Sequence, residues 1–122
     1  MKYLCLIYSE RQRIDALPKP EWDAILAEYG AFSDGISKSG HFVAAEALQP
    51  VQTAKTLRIR HGKLSVTDGP FAETREQLGG FFLIEARDLA EAVQVASKIP
   101  GARWGSIEVR PVMQFDQQPA RA

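Results

Sequence analysis

Apolar side chains occupy both alternating sets of positions in two short stretches, KYLCLIY at residues 2–8 and GFFLIEA at 80–86. A strand that avoids water on both faces belongs in the middle of a sheet, so these two are expected to be central strands. TAKTLRIR at 53–60 and KLSVT at 63–67 alternate instead. Separated by His61-Gly62, they predict a hairpin with Leu57, Ile59, Leu64 and Val66 turned inward and Thr56, Arg58, Lys63 and Ser65 outward. HFVAAEAL at 41–48, closed by Pro50, and SIEVRPVMQF at 106–115 read as two further strands. Helical spacing relates Trp22, Ile25, Leu26, Tyr29, Phe32 and Ile36, with Pro20 at the start and Gly40 as the stop, so a helix is expected over 20–39. DLAEAVQVASKIPG at 88–101 predicts a second helix, with Asp88 as N-cap, Glu91 completing a capping box and an apolar stripe of Leu89, Ala92, Val93, Ala96 and Ile99.

The order is thus β-α-β, an inserted hairpin, then β-α-β: an α+β, ferredoxin-like βαββαβ fold with an antiparallel sheet and both helices on one face. Such a layering leaves the second face of YLCLIY and GFFLIE without a cover from its own chain. A second copy is the simplest cover, and a homodimer is expected. One domain spans residues 1–115, and DQQPARA at 116–122 reads as a disordered tail.

Composition narrows the partners. The 122 residues carry 15 basic and 15 acidic side chains and a formal net charge of zero, which advertises neither nucleic acid nor an anionic membrane. Small, roughly neutral partners are the default. The one cysteine, Cys5, lies in an apolar run and suits a reducing, cytoplasmic setting. MKYLCLIYSE reads as a first strand and not as a signal peptide, and no segment approaches the length of apolar sequence needed to cross a bilayer. Two histidines, His41 and His61, without close ligand spacing give no expectation of a metal, and no cofactor is implied. Gly79-Gly80 precedes a strand and not a helix, so it is no phosphate cradle, and a Gly-x-Ser-x-Gly elbow is missing.

Candidate chemistry concentrates in SVTDGPFAETREQLGGFFLIEA at 65–86. Asp68 before Gly69-Pro70 has two readings: an Asx-turn that shapes the loop, or a carboxylate at the rim of a sheet that acts as acid or base together with Glu73. Arg75 either neutralises these acids or orients an anionic ligand. Thr74 to Gln77 fits a capping box, which would make ETREQL a helical turn with Glu73 and Glu76 on its solvated side, a reading that suits Glu76 better than Glu73. Glu108 and Arg110 alternate on one face of the last strand, opposite Ile107 and Val109, and would face the dimer side as an ion pair or an anion site. Glu46 and Tyr8 are candidates to line the same cavity.

VTDGPFAETREQLGGFFLIEARDLAEAVQVASKIP followed by GSIEVRPV resembles the DGPF subgroup of the YCII-related family. The residues that carry the resemblance are Asp68-Gly69-Pro70-Phe71, Glu73, Glu76, Gly79-Gly80 and Glu108-Val109-Arg110-Pro111. It implies a dimeric α/β-barrel and an acid and histidine pair in a pocket of each subunit, with most members lacking an assigned activity. Asp68 falls on the acid. The histidine's place near the start of the first helix reads KPEWDAIL here. Two functions follow: a cofactor-independent lyase or isomerase acting on a small organic acid through Asp68, or a non-catalytic module that binds a small molecule or an extracytoplasmic-function sigma factor.

Overall fold

In a computed structural model, which describes residues 1–115, the chain runs β1 (Lys2–Ser9), α1 (Arg11–Asp15), α2 (Lys19–Lys38), β2 (Phe42–Ala47), β3 (Lys55–Arg60), β4 (Lys63–Asp68), β5 (Gln77–Glu85), α3 (Leu89–Ala96) and β6 (Ser106–Pro111). Four strands form one antiparallel sheet in the order β2-β5-β1-β6, the ferredoxin-like arrangement with the two doubly apolar strands at its centre. The tail at 116–122 lies outside the described residues.

One face of the sheet meets both long helices. Tyr3 and Cys5 of β1 and Phe82 and Ile84 of β5 pack there with Ile36 of α2 and Ala92 and Ala96 of α3, and every one of these side chains is buried. Phe82 meets the ring of Phe32 edge-on at 5.0 Å and lies parallel to Tyr29 at 6.4 Å, geometries aromatic quadrupoles favour. The apolar stripe on α2 is only half used: Ile36, Phe32 and Tyr29 pack, whereas Trp22 and Leu26, nearer the start of the helix, remain exposed. The other long helix keeps its capping box, with the Glu91 amide donating to Asp88 Oδ1 at 2.9 Å, but it ends at Ala96, and a tight turn over Pro100–Arg103 follows.

Three local expectations are corrected. The polar connection after β1 contains the short helix α1, which has no side-chain cap and buries no residue. ETREQL is bent coil and not a helical turn, because Gln77 already pairs with Ser9 as the first residue of β5. The hairpin does form, in the expected register with Leu57 opposite Val66 and Ile59 opposite Leu64. Its apolar side does not turn inward, however. β3 and β4 make a separate two-stranded sheet, and those four side chains are 55–69% exposed.

The Gly79-Gly80 pair has a backbone reason. Ile7 pairs with Gly80 and Tyr8 with Leu78, so Gly79 is the extra residue of a bulge. A Cβ on Gly80 would stand 2.7 Å from the carbonyl oxygen of Glu46, too close for any side chain without moving β2.

Candidate functional site

Strand register decides which side chains share the face opposite the two long helices. Leu4 pairs with Leu83 and Arg110, Leu6 with Phe81 and Glu108, and Tyr8 with Leu78 and Ser106. Cross-strand partners point to the same side, and Tyr3, Cys5 and Ile7 between them point to the helices, so these residues form one floor. Glu46 joins it opposite Phe81. The result is an apolar strip of half-buried Leu4, Leu6, Phe81 and Leu83, with polar groups at both sides.

The polar groups on the β6 side are connected. Arg110 pairs with Glu108, two residues along the same strand face. That hydrogen bond and then the charge of Glu108 raise the pKa of the Arg110 guanidinium, outweighing desolvation, and Tyr8 adds least. Ser106 donates to Glu76 Oε1 at 2.8 Å, tying the coil before β5 to the start of β6. Glu76 is therefore half-buried at the floor's corner and not on a solvated side. At this end a cleft of about 30 Å³ opens among Ser9, Leu48, Pro50, Gln77 and Gly79. It has room for roughly one water molecule, so a substrate-sized cavity on this face needs walls from elsewhere.

Asp68 ends β4, away from the apolar strip. Its carboxylate pairs with the ammonium of Lys55, its cross-strand neighbour, instead of capping its own turn, and it is 83% exposed. The turn is held across the hairpin instead: the Gly69 amide donates to the Ala54 carbonyl at 2.8 Å, and the Thr56 side-chain hydroxyl donates to the Gly69 carbonyl at 2.8 Å. Gly69 has φ +91°, a region that favours glycine. Glu73 is exposed in the following coil. Arg75 pairs with half-buried Glu10 beyond the end of β1. Of the sequence candidates, the structure thus gathers Tyr8, Glu46, Glu108 and Arg110 onto one floor and leaves Asp68 at the end of β4 and Glu73 and Arg75 in the coil before β5. Ser106 and Glu10 carried no sequence signal, because their partners are 30 and 65 residues away. Among the described residues no group of three or more His, Cys, Asp or Glu side chains converges as a metal site would require, and no helix is long and apolar enough to cross a membrane.

A family model described as the YCII-related domain matches residues 1–116. An uncharacterized protein of Rhizobium meliloti (strain 1021) is similar to this chain, 37% identical over 117 residues, which cover 94% of each.

Proposed function

The chain belongs to the YCII-related family, and from that premise we propose that it is a cofactor-independent lyase or isomerase of the DGPF type, moving a proton on a small organic acid. The observation that carries this reading is the single floor, opposite the two long helices, on which Arg110, Glu108 and Tyr8 flank an apolar strip. A second copy of the chain closes that floor into a cavity. Arg110 holds the substrate carboxylate through its fork of donors, Glu108 keeps the guanidinium oriented, and the apolar strip takes the substrate's carbon skeleton. Glu46 lines the far side. Asp68 at the end of β4 and Glu73 in the coil that follows supply the acid and base, and Arg75 with Glu10 anchors that coil.

Pyruvate, succinate and benzoate serve as probes. Binding should raise the melting temperature of the wild type, and Arg110→Gln should remove that response. Deuterium should wash into the carbon acid of a bound keto acid in heavy water, and Asp68→Asn should stop the exchange while the melting shift persists. Unaltered binding by Arg110→Gln, or unaltered exchange by Asp68→Asn, would sink the reading.

The exposed apolar side of the β3–β4 hairpin favours one second reading, a module that docks an extracytoplasmic-function sigma factor there. Loss of a purified sigma factor's binding in Ile59→Glu, with the acid response intact, would favour it over the enzyme.

A further inference from the structure

The helix-covered side of the sheet carries a separate constellation. A groove of about 740 Å³ runs between α2 and the segment that follows α3, walled by Phe32, Ile36, Val95, Ile99 and Pro100. Ser39 and His41, just beyond α2, line the same groove.

Three side chains stand there in series. Ser39 Oγ lies 2.6 Å from His41 Nδ1, and His41 Nε2 lies 3.1 Å from Glu91 Oε1. His41 and Glu91 are 22% and 23% exposed, so water only partly competes for these bonds. Glu91 is fixed independently of the histidine: it accepts from the Arg87 amide at 3.2 Å and pairs with the Arg87 guanidinium at 3.3 Å. The Arg87 amide, then the histidine, hold its carboxyl below the usual range, so it is ionised at neutral pH. A carboxylate only accepts, which places the proton of neutral His41 on Nε2 and turns the Nδ1 lone pair toward the Ser39 hydroxyl. The hydroxyl has a second acceptor, the Ile36 carbonyl at 3.2 Å, available when His41 is protonated and Nδ1–H donates to Oγ. A proton can therefore pass from Ser39 to His41 with little motion of heavy atoms.

We propose that Ser39 is an acyl-accepting nucleophile, with His41 as its base and Glu91 as a positioning residue, toward activated esters whose small apolar acyl group lies in the groove between α2 and the segment that follows α3. Ser39 Oγ bonds to the acyl carbon as the carbon–oxygen bond to the leaving group breaks. His41 takes the serine proton and passes it to the departing oxygen. Water then attacks the acyl-serine, gives a proton to His41, and the free acid leaves as Ser39 recovers its proton. The amides of Ser39, Gly40 and His41 are all used in closing α2, on the carbonyls of Gly35, Ser37 and Ile36. With these three amides taken, none of them is left for an oxyanion, and the site is restricted to esters with good leaving groups, such as aryl esters.

p-Nitrophenyl butyrate is the probe. One butyryl group should appear by mass spectrometry on the peptide containing Ser39, vanish in Ser39→Ala and return on residue 39 in Ser39→Cys. Nitrophenolate release should fall by about a hundredfold in His41→Gln, as expected for a lost general base. Glu91→Gln still offers an oxygen to the Arg87 amide, and it should lower the limiting acylation rate while the half-saturating ester concentration stays unchanged. An adduct that persists in Ser39→Ala, acylation confined to other residues, or no adduct in a folded wild type overturns the proposal.

Discussion

At the scale of single residues, burial decides what a side chain can do. Cys5 points from β1 into the helix-covered core, fully buried, and desolvation pushes its thiol up to about 11 because the low-dielectric surroundings disfavour the thiolate. At neutral or mildly alkaline pH the native thiol should resist an aromatic disulfide reagent and react at once when guanidinium unfolds the chain. Rapid labelling of the folded protein would mean that β1 opens locally. The sequence position of Cys5, inside a run apolar on both faces, made this burial readable. The common face of Glu108 and Arg110 was readable for the same reason, since a strand has period two. Asp68 shows where such reading stops: an Asx-turn and a cross-hairpin pair with Lys55 both suit an aspartate before Gly-Pro, and only the register of β3 against β4 selects the second.

At the scale of elements, α3 is the best specified piece of the chain, and its stability is linked to pH. The Asp88 carboxylate accepts the Glu91 amide and that of Glu91 accepts the Arg87 amide, and these hydrogen bonds hold both carboxyls below their ordinary values. A depressed carboxyl contributes stability above its unfolded-state pKa and loses it as pH falls through the folded-state value. Asp88→Ala should therefore melt lower than wild type at neutral pH, and the gap should narrow as the melts are repeated below about pH 4, where both carboxyls take up protons. A gap independent of pH would assign the loss to helix propensity alone. Capping and periodicity made this helix legible, whereas α1, with neither a side-chain cap nor a buried residue, left no pattern to find. In ETREQL the spacing of Thr74 and Gln77 resembles a capping box, but Gln77 Nε2 donates to the Thr74 carbonyl at 2.8 Å and its backbone joins β5. Sheet pairing overrides local propensity there.

At the scale of the whole molecule, the strip Leu4, Leu6, Phe81 and Leu83 and the hairpin side Leu57, Ile59, Leu64 and Val66 lack, among the described residues, an intramolecular partner of the kind the core has. Alternation revealed that each set shares a face. It did not reveal exposure, which depends on what else, in this chain or another, lies against that face. A two-fold pairing of chains through the face opposite the two long helices presents the strip to itself, so every apolar group in it counts twice. Full burial of a leucine or phenylalanine contributes roughly 1.5–3 kcal/mol, and these half-buried side chains retain a part of that to gain on association. Leu6 lies at the centre, between Phe81 and Glu108 in the sheet. Leu6→Glu would set a carboxylate beside Glu108 in a dry interface, but on an open face it would simply be solvated. Wild type should sediment as a dimer at micromolar concentration and Leu6→Glu as a monomer with unchanged circular dichroism. Ile84→Ala, on the opposite face of β5, is the control: it should cost about 3 kcal/mol of stability, as expected for truncating a fully buried side chain, and leave the stoichiometry alone. A monomeric wild type would remove the wall that the proposed acid site requires, whereas the Ser39–His41–Glu91 series, built from one chain on the other side of the sheet, would be untouched by that result.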